Sequence, residues 1–119
     1  MFVNFSNHCS ELWSNKQLTE ARKYGEIIDY PFPMVDPNDS EENIKEMANR
    51  ISEEIGAMKP DIVMCQGEFT LCYNVVKLLK DMGIKVVAAS SERKAMEEVL
   101  VDETVNKISV FEFVKFREY

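Results

Sequence analysis

Apolar and polar positions along this chain change period, from short apolar runs suited to strands to the three-to-four spacing of helices. Residues 2–5 (FVNF), 26–30 (EIIDY) and 61–65 (DIVMC) read as strands, and the last is a short apolar run of the kind found in a strand covered on both faces. Between them the spacing is helical. Ser14 with Gln17 forms a capping box that opens a first helix, and Gly25 closes it. Residues 31–39 hold three prolines and predict an extended loop. Ser40 or Asp39 then caps a second helix, whose Ile44, Met47, Ala48, Ile51, Ile55 and Met58 share a face before residues 59–60 (KP) end it. In a third helix Phe69, Cys72, Tyr73, Val76 and Leu79 recur on one side, with Asn74, Lys77 and Asp81 opposite, and Gly83 supplies a left-handed stop. Residues 84–89 (IKVVAA) form the next strand, and Ser90, Ser91, Glu92 and Arg93 leave its far end.

Residues 61–93 thus make one strand-helix-strand unit with a right-handed crossover. Beyond Arg93 the pattern changes. Residues 94–101 and 106–116 flank residues 102–105 (DETV), and Val110, Glu112 and Val114 alternate with Phe111 and Phe113. This predicts a two-stranded antiparallel hairpin, with a short helix over 94–100 as the alternative. The fold class is α/β: a Rossmann-like parallel sheet of about four strands flanked by helices, with a C-terminal antiparallel β-hairpin, in a single domain over residues 1–119.

Composition narrows the options. At 119 residues the chain holds one core and has no room for a second. No apolar run approaches the ~18 residues of a membrane span. The strand-like start lacks a basic segment, so neither signal peptide nor membrane association is expected, and the expected location is cytoplasmic. Three cysteines without a C-x-x-C pair, and one histidine, argue against a zinc centre; Cys65 and Cys72 fall on apolar sides and suit core packing. No metal or cofactor is expected. A formal charge of −7 without a basic stripe argues against gripping long nucleic acid, though not against a small anion held by backbone amides and a cation or two.

The chain lacks G-x-x-x-x-G-K-[ST], G-x-G-x-x-G and G-x-S-x-G, which removes P-loop hydrolysis, dinucleotide binding and the hydrolase elbow. Three polar clusters follow predicted strands: Ser6, Asn7 and His8; Gln66, Gly67, Glu68, Phe69 and Thr70; and Ser90, Ser91, Glu92 and Arg93. In a parallel sheet they converge on the carboxyl edge, where α/β proteins place ligands. Gly67 allows close approach or positive φ, the amides of Glu68, Phe69 and Thr70 open a helix, and Arg93 adds charge: a set suited to phosphate without metal. The same residue types serve ordinary turns, Glu68 can complement the helix dipole, and His8 can be a loop or capping residue. The acidic residues of 36–46 suit a solvated loop and helix face and lack calcium-loop spacing.

Residues 66–69 (QGEF), 90–93 (SSER) and 111–119 (FEFVKFREY), together with the FSNH start at Phe5, carry a resemblance. The chain resembles small stand-alone CRISPR-associated proteins grouped with the ring nucleases and the CRISPR-associated Rossmann-fold (CARF) domains. The likeness is close in the C-terminal half and loose in the N-terminal half, where Asn7 interrupts the F-S-H pattern, and residues 66–70 carry no lysine. The resemblance implies a homodimer whose two carboxyl edges share a two-fold pocket. It implies a cyclic oligoadenylate ligand, most often cyclic tetra-adenylate, the second messenger of type III CRISPR defence. It implies metal-independent cleavage, in which a ribose 2′-OH attacks the adjacent phosphate and leaves a 2′,3′-cyclic phosphate.

Such a reaction needs in-line positioning, stabilised phosphorane charge and a proton acceptor or donor. Helix-three amides and Arg93 suit the charge; Ser6, Asn7 and Gln66 suit orientation, with Phe69, Thr70, Ser90 and Ser91 as further contacts. Glu68 or His8 suits proton transfer. A non-catalytic sensing, sequestering or adaptor protein is the alternative.

Overall fold

The computed structural model describes residues 1–99 and 105–119. The elements run β1 (Phe2–Ser6), α1 (Asn15–Arg22), β2 (Ile27–Pro31), α2 (Glu41–Ala57), β3 (Ile62–Gln66), α3 (Phe69–Asp81), β4 (Lys85–Val99) and β5 (Val105–Glu118), with a 3-10 turn at Ser10–Leu12. The sheet has the order β2-β1-β3-β4-β5. Its first four strands are mutually parallel, and β5 pairs antiparallel with β4.

Helix ends follow the local chemistry. The Ser14 hydroxyl accepts from the Gln17 amide and the Ser40 hydroxyl from the Asn43 amide, so each occupies an otherwise orphaned donor. Of the two caps expected for α2, Ser40 is the one used. Gly25 (φ +104) and Gly83 (φ +79) adopt the left-handed region that lets the chain turn back after α1 and α3.

The sheet is covered unequally. Val3, Phe5, Val63, Cys65 and Val86 meet α2 through Ile44, Ala48, Ile51 and Ile55, and α3 through Leu71, Val75, Val76 and Leu79. The opposite face presents Phe2, Ile62, Met64 and Val87 to the short α1, to Trp13 and Tyr24, and to Phe116 of β5. The face expected for α3 is shifted: Phe69 and Tyr73 are 89% and 68% exposed, while Leu71 and Val75 are buried. Apolar side chains cover more than half of the circumference of this helix, so spacing alone does not select the buried side.

The larger departure is in β4. It was expected to end at Ala89, with Ser90 to Arg93 leaving the sheet, but it continues unbroken to Val99 and is itself the first hairpin strand. The alternative helix beginning at Lys94 does not form over the described residues. Pairing with β5 stabilises the extended backbone against local preference; the Lys94 ammonium meets the Glu112 carboxylate across the strands at 2.9 Å. Residues 102–104 of the expected turn lie outside the described residues, and Val105 already belongs to β5.

β3 pairs with β4 only from Ile62 to Met64, after which β4 has β5 as its sole paired strand. A register shift at Ser90/Ser91 marks the point where the hairpin leaves the sheet. The radius of gyration, 17.1 Å, exceeds the ~13.5 Å of a compact chain of this length, as a projecting arm requires. We predict that Ser40→Ala lowers stability by about 1 kcal/mol through loss of the α2 cap, read as a lower urea midpoint at unchanged slope.

Candidate functional site

In this strand order the chain turns one way from β1 to β2 and the other way from β3 to β4. The carboxyl ends of β1 and β3 therefore flank the switch point at which open α/β sheets form crevices. The loop after β1 is organised by buried polar groups. Asn4 is 2% exposed in a central strand and directly opposite Asp29 of β2. Its Nδ2 donates to Asp29 Oδ1 and to the His8 carbonyl, both at 2.8 Å. The Ser6 hydroxyl donates to Asn4 Oδ1 (2.6 Å) and accepts from the His8 amide (3.2 Å). Asp29 also accepts from the Ser10 amide and hydroxyl and from the Cys9 thiol. Burial pushes the Asp29 carboxyl up, but donors from Asn4, Ser10 and Cys9 outweigh it and hold the group below the ordinary aspartate range.

The loop after β3 is arranged differently. The Gln66 side chain accepts the Ala89 amide at 2.7 Å, replacing the ladder bond lost where β4 diverges. Gly67 is required by close approach: a Cβ there would lie 2.5 Å from the Phe32 ring, which stacks on Phe5 with centroids 4.7 Å apart. Glu68 caps α3, its carboxylate accepting from the Leu71 amide (2.8 Å), the Thr70 amide (3.0 Å) and the Thr70 hydroxyl. The Leu71 and Thr70 amides draw its carboxyl below the ordinary glutamate value. The amides expected to face a phosphate at Thr70 therefore already face a carboxylate of the chain itself.

A cleft of about 910 Å³ opens on the α1 side of these loops. Ser6, His8 and Gln66 lie at its sheet edge, Trp13, Ser14, Lys16 and Gln17 form one wall, and Ser91, Phe111 and Phe113 form the other. Met64 and Ala89 also line it. A second cavity, about 690 Å³, lies on the α2 side and takes Glu68, Phe69 and Thr70 together with Asp36, Asp39 and Tyr73.

The three expected clusters are thus divided. Ser6, His8, Gln66 and Ser91 come together in the larger cleft, whereas Glu68, Phe69 and Thr70 face the other cavity. Asn7, Gly67, Ser90 and Arg93 line neither. Arg93 lies on the arm past the register shift, where its guanidinium donates to Ser109 Oγ at 2.9 and 3.2 Å. Trp13, Lys16, Gln17, Phe111 and Phe113 were not anticipated as lining residues; their only signal in the sequence is an aromatic just before a helix and aromatic alternation near the C-terminus.

Chemically, the larger cleft combines hydroxyl and amide groups, one imidazole, one ammonium, the Glu112 carboxylate and aromatic surfaces, a set suited to a ligand with both planar rings and polar groups. Among the described residues no group of three or more Cys, His, Asp or Glu side chains could hold a metal.

Over residues 1–117 the sequence matches the family described as "Uncharacterized protein MJ1673 family". The chain belongs to the MJ1673 family. No curated protein matches it. For this MJ1673-family chain, no described helix is long and apolar enough to cross a membrane.

Gly67→Val should destabilise the fold by roughly 1–3 kcal/mol through collision with Phe32, with partial recovery on adding Phe32→Leu, measured by urea denaturation. Glu68 yields a pH signature. Its folded pKa is depressed, so its capping contribution is complete above the unfolded value of ~4.3 and is lost as pH falls through the lower folded value. The stability gap between wild type and Glu68→Gln should therefore be constant at neutral pH and shrink in acid.

Proposed function

We propose that the α1-side cleft binds a nucleotide and that the ligand is a cyclic oligoadenylate, most often cyclic tetra-adenylate. One observation carries the binding reading: aromatic walls and a polar edge enclose one cleft at the switch point of the sheet. The ring-shaped adenylate is drawn from the CARF-like resemblance in the QGEF, SSER and FREY segments. On this reading the protein acts in type III CRISPR defence in the cytoplasm, and a two-fold ring fits a homodimer with an isologous pocket.

The associated reaction is ring cleavage without metal. The ribose 2′-oxygen attacks the adjacent phosphorus, its proton passes to a base, the bond to the 5′-oxygen breaks, and that oxygen takes up a proton. His8 is the candidate for proton transfer, because it lines the cleft whereas Glu68 and Arg93 do not. Lys16 is the cation available to phosphate there, and Gln66 and Ser91 offer neutral hydrogen bonds. Gly67, Glu68 and Arg93 serve the framework, through Phe32, the α3 cap and Ser109.

A second reading, binding without turnover, is favoured by that same division: of the three residues expected to move protons or stabilise charge, His8 alone reaches the cleft. The chain has one tryptophan, and it lines the cleft, so intrinsic fluorescence reports occupancy directly. Titration with cyclic tetra-adenylate in EDTA should quench Trp13, and incubation should release linear di-adenylate ending in a 2′,3′-cyclic phosphate. Binding without product would establish the second reading, and no binding to any ring size would end both. If cleavage occurs, His8→Ala should lower its rate by about 100-fold or more while affinity stays within a few-fold; unchanged turnover would remove His8 from the reaction.

A further inference from the structure

Cys65, near the end of β3, and Cys72, in the first half of α3, stand on either side of the Gln66-Gly67-Glu68 loop. Both are free thiols with Sγ atoms 3.4 Å apart. Cys72 Sγ also lies 3.5 Å from the Cys65 carbonyl and 3.8 Å from the Tyr119 hydroxyl, which donates to that same carbonyl at 2.7 Å. Cys65 is fully buried and Cys72 is 8% exposed. Moving the sulfurs from 3.4 Å to the ~2.05 Å of a disulfide needs a shift of about 1.3 Å.

We propose that Cys65 and Cys72 are a peroxide-sensitive thiol pair that closes to a reversible intramolecular disulfide, locking the loop between β3 and α3. Cys72 is the attacking thiol and Cys65 the resolving one. The Cys72 thiolate sulfur bonds to one oxygen of hydrogen peroxide as the O–O bond breaks, giving a sulfenic acid and hydroxide, which takes up a proton to become water. The Cys65 sulfur then attacks the Cys72 sulfur, its proton and the sulfenic hydroxyl leave as water, and two thiols have been oxidised while one peroxide has been reduced.

The surroundings suit these roles. The Cys65 thiol, and after it the Gly67 amide, hydrogen-bond to Cys72 and outweigh its burial, drawing its pKa below the ordinary thiol value. Cys65 is pushed up by its bond to Cys72 and by burial, so it stays protonated until it resolves the sulfenic acid. The pair does not line the larger cleft, and the inference holds whatever that cleft binds.

The test uses the full chain carrying Cys9→Ser, which removes the exposed third thiol while keeping a donor to Asp29. Folded protein is treated with hydrogen peroxide, unfolded, alkylated and weighed. The expected result is a mass lower by two hydrogens, no alkylation, one cross-linked peptide pair containing Cys65 and Cys72, and full reversal by dithiothreitol. Adding Cys65→Ser should leave a sulfenic acid at Cys72 that dimedone traps. Two alkylatable thiols after peroxide treatment, in protein whose circular dichroism is unchanged, would overturn the proposal, as would cross-links between chains or irreversible oxidation in place of the internal disulfide.

Discussion

The pair formed by Asn4 and Asp29 is the constraint on which the site depends. A polar side chain in the middle of a central strand, covered on both faces, must find partners inside the protein or cost the fold the desolvation of an unpaired group. Asn4 finds Asp29 in the next strand and the His8 carbonyl in the following loop, and Ser6 closes the set. The network therefore fixes the exit of β1 and, through Ser10, the 3-10 turn. That turn delivers Trp13 to the wall of the cleft. Among the described residues no buried side-chain nitrogen or oxygen lacks a partner, so this polar centre is rigid as well as satisfied.

The loop after β3 separates two cavities by steric means. The Phe32 ring lies where a side chain at position 67 would be, and the Glu68 carboxylate accepts from the Thr70 and Leu71 amides at the start of α3. In this Gly-Glu sequence before a helix, the chain's own acid caps the helix terminus. The α1-side cleft is lined by side chains from both neighbouring structures, the N-terminal turn of α1 and the hairpin. The buried thiol pair spans the same loop as Gln66, which both lines the cleft and holds β4.

The hairpin gives the molecule its elongated shape and the cleft its second wall. A two-stranded ribbon is weak by itself, and this one is anchored where Phe116, itself packed on Phe113, meets Phe2 and Trp13 on the α1 face. The aromatic cluster joins the hairpin to the sheet beyond the last β3–β4 pair, and an open wall beside it presents Phe111 to solvent.

Much of the fold was written locally. Short apolar runs, the Ser14 and Ser40 caps and the stops at Gly25 and Gly83 identify strands, helices and turns, because each depends on a few neighbouring residues and on backbone sterics. The parts of the site that are single loops, such as Ser6 with His8 and Gln66, were likewise legible at strand ends. Strand pairing and helix phase were not. The continuation of β4 past Ala89 depends on β5, and the burial of Leu71 and Val75 over Phe69 and Tyr73 depends on where α2 lies. Which cavity a residue joins was decided only by tertiary structure: Gln66 and Glu68 are two positions apart, yet β3 ends at Gln66, and the turn through Gly67, packed against the Phe32 ring, places Gln66 at one cavity and Glu68 at the other. Sequence determined the elements and the chemistry at their ends; contacts between distant segments decided which of those groups meet.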